Sequence, residues 1–265
     1  MTYLEFLLIF LLPPLSLLVV WAWTVQHRGL PLGGPYQPDN RRSVWFLLVM
    51  PVLAVIYTTP WDNYLVYKGV WTYPDERVIG KILYVPVEEY LFFILQSLLG
   101  GLLFLLLLRV LETTPEKHSS KGRKLGMLFY LLLTLAGAVL LQFTSGVYLG
   151  LILVWACPVL FLQWWFGGDL LAGKVWTARV LGTLLLTSYL GLCDALAINL
   201  QIWSISERYT TGVLLGSLPL EEGVFFLVTS VLLMDGLALF LHPEAESRYL
   251  KLKNKFNPRP HKGKA

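Results

Sequence analysis

Apolar residues along the chain gather into long runs, near 3–23, 44–60, 86–109, 125–142, 146–166, 178–197 and 215–241, with short polar stretches between them. A run of about 20 apolar residues suffices to cross a bilayer as a helix. The pattern therefore predicts an all-α integral membrane protein of about seven transmembrane helices. The second and fourth runs are short, which predicts tilted, buried spans. The first run lacks the basic start and small-residue cleavage site of a signal peptide. Glu5 is its only charge before His27, so a retained first span is expected.

Two polar interruptions share one frame. Residues 86–93 read PVEEYLFF and residues 219–226 read PLEEGVFF, so Glu88, Glu89, Phe92 and Phe93 recur as Glu221, Glu222, Phe225 and Phe226 at an offset of 133. Upstream, Asp62, Trp71 and Gly80 recur as Asp194, Trp203 and Gly212 at an offset of 132, which places one inserted residue between Gly212 and Pro219. Pro14 and Trp21 keep their spacing in Pro158 and Trp165. Spans 1–3 then correspond to spans 5–7, with span 4 as a connector. Partners four spans apart enter the membrane in the same direction, giving a parallel 3+1+3 internal repeat. Such repeats place a shared site at their mutual interface. The expected units are 1–111 and 146–242, with 112–145 carrying the connector and span 4, and 243–265 a basic tail.

Composition agrees with the pattern: 56% of residues are hydrophobic and 14% charged, against about 25% charged in soluble domains. Of the 21 lysines and arginines, 17 fall in the loops and tail on one side of the predicted spans and four (Lys68, Arg77, Lys81, Arg208) on the other. The positive-inside rule then puts the C-terminus in the cytoplasm and the N-terminus outside, with both acidic frames opening from the outer face of a cytoplasmic membrane. The net charge of +4 is explained by this asymmetry and calls for no nucleic-acid partner. Cys157 and Cys193 both fall in apolar spans, as small buried hydrophobes.

A single acidic frame has an ordinary explanation. Proline suits the first turn of a helix, and glutamates there favour the macrodipole by about 0.3–1 kcal/mol. Two copies, each preceded by an aspartate and a tryptophan at matched spacing, argue for more. Ionisable groups at membrane depth are costly and mark functional sites by default. Adjacent helical residues point about 100° apart, so one glutamate of each pair can face a pocket while its neighbour caps the helix. Glu89 shares a face with Phe92 and Phe93, and Glu222 with Phe225 and Phe226. A carboxyl against aromatic rings, out of bulk water, holds its proton and can act as an acid. Glu88 stands i, i+4 from Phe92, so spacing alone does not exclude it. Trp71 and Trp203 are singled out by their recurrence; most tryptophans at span ends are interfacial anchors.

Other chemistries lack their residues. His27, His118, His242 and His261 stand apart in loops or at span ends, so there is no histidine-rich metal box. No GxGxxG fingerprint for a dinucleotide and no DDxxD-like run for a magnesium–diphosphate site is present. What remains is redox-neutral acid–base chemistry on an apolar substrate, with no cofactor.

PWDN at 60–63, Trp71, Gly80 with PVEEYLFF, and the second set of Asp194, Trp203, Gly212 and PLEEGVFF resemble the lycopene cyclase domain over nearly the whole chain. The second unit departs in reading CDALAIN where the first reads WDNYLVY, so the asparagine after the aspartate, Asn63, occurs once. The resemblance implies a membrane lycopene cyclase, of the beta type, with both units of the heterodimeric form fused in one chain. It implies lycopene and other acyclic or monocyclic carotenoids as substrates, and membrane lipid and other carotenoid-pathway enzymes as partners. The catalytic candidates are Glu89 and Glu222, then Glu88 and Glu221, with Asp62 and Asp194 orienting the acids or taking the proton. Asn63, Trp71, Phe92, Phe93, Trp203, Phe225 and Phe226 are the substrate-binding candidates. Two readings from other classes stand beside this one: a small-solute or proton-coupled transporter, and a carotenoid- or lipid-binding membrane protein without catalysis.

Overall fold

The computed structural model describes residues 1–111, 119–173 and 175–256. Lys117, His118, Lys174 and the distal tail with His261 lie outside those residues. Among the described residues, seven spans are long and apolar enough to cross a membrane, in agreement with the hydropathy pattern. The first is broken in two, α1 (Tyr3–Phe10) and α2 (Leu12–His27). The break at Leu11 precedes Pro13 and Pro14, whose missing N–H groups and rigid rings disfavour a continuous helix. Thr2 caps α1 in a reciprocal box with Glu5.

The second span, α3 (Asn40–Lys68), is 29 residues long, far longer than the apolar run 44–60. Hydropathy falls at Asp62 and Asn63, yet the helix continues because Trp61, Asp62, Asn63 and Leu65 are all buried. It runs through Pro51 and Pro60 and stops at Gly69, whose left-handed φ of 74° is open to glycine. Then follow α4 (Val87–Val110), α5 (Ser120–Leu140), α6 (Val147–Gly167), α7 (Trp176–Asn199), α8 (Leu220–Leu241) and α9 (Ala245–Phe256).

The helices that begin with the acidic frames, α4 and α8, are the most buried of the seven spans and form the centre of the bundle. The two short runs behave opposite to expectation: only 22% of the α3 window and 6% of the α5 window is buried. Their brevity does not signal burial. The α5 helix lies on the outside against α6, and most of its apolar side chains are left for lipid. Contact between them is backbone to backbone. A Cβ added to Gly137 would stand 3.1 Å from the Gly150 carbonyl oxygen, and one on Gly150 2.9 Å from that of Gly137. Small residues permit this approach where no hydrophobic force joins helices.

Six two-residue strands complete the described chain: β1 (Trp71–Thr72), β2 (Lys81–Ile82), β3 (Val85–Pro86), β4 (Ser204–Ile205), β5 (Leu214–Leu215) and β6 (Leu218–Pro219). Two hairpins, β2–β3 and β5–β6, lead into α4 and α8. The β1 and β4 strands pair antiparallel, Trp71 opposite Ile205 and Thr72 opposite Ser204. That pairing fastens the two long loops together on one side of the bundle. Arg77 donates to the Met1 carbonyl at 2.8 Å and so anchors the N-terminus at the same side.

Candidate active site

The hairpins determine which glutamate of each pair faces inward. Pro86 and Pro219 are the N-caps of α4 and α8, one step outside the first turn, with φ of −54° and −55°. The first helical N–H of each, on Val87 and Leu220, donates back to Gly80 O and Val213 O, both at 2.9 Å. Glu88 Oε1 accepts from the Ile79 N–H at 2.7 Å, and Glu221 Oε1 accepts from the Thr211 N–H at 2.6 Å. The first glutamate of each pair thus clamps its own loop. About 100° further round the helix, Glu89 and Glu222 turn into the bundle. These bonds also correct the sequence register. Gly80 matches Val213, and Gly212 is itself the inserted residue, accommodated by a left-handed φ of 77°.

Glu89 and Glu222 meet across one small void of about 30 Å³, bordered also by Asp194. Glu89 Oε1 accepts from the Tyr73 hydroxyl at 2.6 Å, and the Tyr3 hydroxyl reaches the same carboxyl. Glu222 Oε1 accepts twice, from the Tyr148 hydroxyl at 2.6 Å and from Trp71 Nε1 at 3.1 Å. Asp194 Oδ1 accepts from Trp203 Nε1 at 2.9 Å. Asp62 lies within electrostatic range of both glutamates. It is fully buried, and neither of its oxygens has a hydrogen-bond partner. No Lys or Arg among the described residues forms an ion pair with any of the four. Tyr73 stands in the loop outside the spans; burial first, and Glu89 next, push its hydroxyl well above the ordinary phenol range, so it remains a donor.

The aromatic candidates divide. Trp71, Trp203, Phe92, Phe225 and Phe226 wall the void. Phe93 is buried behind Phe92, ring centres 6.3 Å apart. Asn63 braces the first hairpin: its Oδ1 accepts from the Tyr84 N–H at 3.0 Å, and its Nδ2 donates to Thr59 O at 2.9 Å. Trp71 and Trp203, equivalent by spacing, serve different carboxyls, and Trp71 reaches into the other half of the chain.

Tyr3, Tyr73, Tyr148 and Trp61 were not singled out by the sequence. A signal existed for two of them, since Tyr3 and Tyr148 each open the first span of a proposed unit, as YLEF and YLGL. For Tyr73 there was none, because Ile205 stands at the matching place in the second loop.

The family model described as Lycopene cyclase matches residues 35–107 and 145–240. A lycopene beta-cyclase of Halobacterium salinarum is 38% identical over 244 residues, covering 90% of this chain and 95% of its own length. Fungal fusion proteins match by a part of their length. A bifunctional lycopene cyclase/phytoene synthase of Podospora anserina is 33% identical over 86% of this chain and 38% of itself. One from Colletotrichum graminicola is 36% identical over 84% and 40%. No solved structure matches the chain significantly. The acidic frames that meet at the void lie one in each matched segment, and the chain belongs to the lycopene cyclase family.

Proposed function

We propose that this chain is an integral-membrane lycopene cyclase that converts the acyclic ψ ends of lycopene into six-membered rings of the beta type. The observation that carries the reading is the meeting of Glu89, Glu222 and Asp194 around one aromatic-walled void in a chain of this family. The similarity to a lycopene beta-cyclase supports the substrate and the ring type.

In this mechanism a carboxyl of the cluster gives its proton to the terminal double bond of the ψ end. The neighbouring double bond attacks the resulting tertiary cation, forming the carbon–carbon bond that closes the ring and moving the charge onto the ring. A carboxylate then removes a ring proton, so the product is an isomer and no electrons enter or leave. The cluster suits this work. Four ionised carboxylates, out of water with no cation beside them, would be prohibitively costly; the cluster therefore carries protons. Tyr73, Tyr148 and Trp71 hold Glu89 and Glu222 by their oxygens. The tryptophan and phenylalanine faces favour a cation by about 0.5–2 kcal/mol, and the closed wall keeps water from quenching it. Glu89 and Glu222 are the acids in this reading, and Asp62 and Asp194 orient them or take the proton.

The two units, 1–111 and 146–242, are read as a parallel repeat, supported by the matched hairpins and by the frame in each matched segment. The charge asymmetry supports an outer position for the site and a cytoplasmic C-terminus in the cytoplasmic membrane. A reporter after Ala265 should read cytoplasmic and one inserted at Asp75–Arg77 external; the reverse pattern refutes the orientation. For the activity, the chain is expressed in lycopene-accumulating cells and the pigments are separated by chromatography. Carotenes with one or two beta rings are expected. Unchanged lycopene, with the protein present in the membrane, refutes the reading.

A further inference from the structure

The void at the acids has room for about two waters, much less than a carotenoid end group. Most of the substrate must lie elsewhere, and an apolar space adjoins the void. A cavity of about 700 Å³ opens between α3, α6 and α8, with Trp61 and Trp155 at one end and Met50, Val159 and Gln163 at the other. Those last three, with Gly236, also border a second cavity of about 560 Å³ that continues to Arg42, Glu246 and Tyr249. Sharing four wall residues, the two form one groove. From Trp61 to Arg42 along α3 it extends roughly 28 Å at 1.5 Å per residue, close to the ~30 Å of a bilayer's hydrocarbon core.

The groove faces lipid, since Leu53, Ile56 and Tyr57 on its α3 wall are exposed. Two of its hydroxyl residues are bonded within their own helices. Ser97 donates to Phe93 O at 2.7 Å and Thr229 to Phe225 O at 2.8 Å, both on their own helices, leaving hydrocarbon faces to the cavity. At the acidic end α3 and α6 are tied by Tyr57 Oη donating to Trp155 O at 2.7 Å and Trp61 Nε1 donating to Leu151 O at 3.2 Å. A single layer of side chains separates groove from acids. Leu190 borders both spaces. Trp61, in the groove, stacks on Phe225, in the acidic void, at 5.5 Å and 9°, and on Trp155 at 4.5 Å.

We propose that this groove is the binding site for the polyene arm of the carotenoid, held along α3 from the lipid side while the reacting end passes the Trp61–Phe225 layer to reach the acids. The proposal rests on the cyclase reading for its ligand. It follows that arm recognition and proton transfer are carried by different residues, and that blocking the groove impairs an enzyme whose acids are intact.

The test plugs the junction of the two cavities from two walls. Gly236→Leu acts from α8, where a Cβ meets only Gln163 Nε2, at 3.2 Å, and Val159→Phe acts from α6. Two quantities are measured in detergent: lycopene retained per protein after gel filtration, and kcat/KM for ring formation. If the added side chains exclude the arm as overpacking does, each plug lowers both by about tenfold or more, with the unfolding midpoint preserved. Ala54→Leu, a smaller intrusion from α3, gives a partial loss of both and replaces the plugs should they not fold. Folded variants that retain and cyclise lycopene as the unsubstituted protein does overturn the proposal. So does a plug that expels copurified phospholipid while leaving kcat/KM unchanged, which would assign the groove to a lipid chain. An unsubstituted protein that retains lycopene and forms no ring refutes the cyclase reading and leaves the groove standing. One that forms rings and is indifferent to every plug does the opposite.

Discussion

Helix α8 carries buried acids in its first turn and again beyond its middle, and their surroundings differ. Glu222 near its start shares a void with Glu89 and Asp194 and meets only neutral donors. Asp235, 13 residues on and roughly 20 Å along the helix, is equally buried. It pairs with Arg179 at 2.6 Å and accepts from Trp164 Nε1 at 3.0 Å, while the guanidinium lies 4.8 Å over the Trp176 ring. Asp235 has a cation and two hydrogen bonds that tie α6, α7 and α8 together, which makes it a strut. The Glu89–Glu222 cluster has no cation among the described residues to offset its burial. A carboxyl equally buried in the same helix is structural where its charge is matched and is available for chemistry where it is not.

The largest expected effect separates these two ends. Glu89→Gln and Glu222→Gln keep size and hydrogen bonding but cannot deliver a proton to an alkene, so each should lower ring formation by about 10²–10⁴-fold with little change in unfolding. Turnover within about tenfold of the unsubstituted protein for both would make the Glu89–Glu222 cluster a second strut. Next, Asp235→Asn leaves Arg179 buried and unmatched, which should cost about 3–5 kcal/mol of stability while turnover per folded molecule holds. Lost turnover with unchanged stability would join the Asp235–Arg179 pair to the chemistry. The smallest effect tests the division within each frame. Glu88→Gln and Glu221→Gln keep an oxygen for the Ile79 and Thr211 N–H groups, and should cost about 1 kcal/mol or less in stability with turnover nearly unchanged. A loss as deep as that of Glu89→Gln would move the acid to the other member of the pair.

Much of this was legible beforehand. Seven apolar runs gave seven spans, and the doubled frame led to Glu89, Phe92, Glu222, Phe225 and Phe226 in the wall of the void. Where the reading fell short, the reason is specific. The length of α3 was underestimated because Asp62 and Asn63 lower the hydropathy of a segment that is nonetheless buried. The brace that Asn63 gives the first hairpin has no sequence signal, because its partner Tyr84 lies 21 positions away. Trp71 and Trp203 pair by spacing, but Trp71 bonds to Glu222 and Trp203 to Asp194. The Asp235–Arg179 pair was passed over because neither residue belongs to the repeated pattern.

Amino-acid order alone determined where helices cross and where they begin. Hydropathy is a property each segment has by itself, and a proline followed by two glutamates favours a helix start through local chemistry. Order also supplied the two options within each frame, since successive side chains leave a helix about 100° apart. Only the tertiary structure decided between them. Each hairpin folds back to engage the first glutamate, and the β1–β4 pairing draws the two loops together. Trp71 can then donate to Glu222 across 151 positions of sequence. A contact of that kind depends on how two distant helices are turned about their axes, which packing determines and no local pattern records.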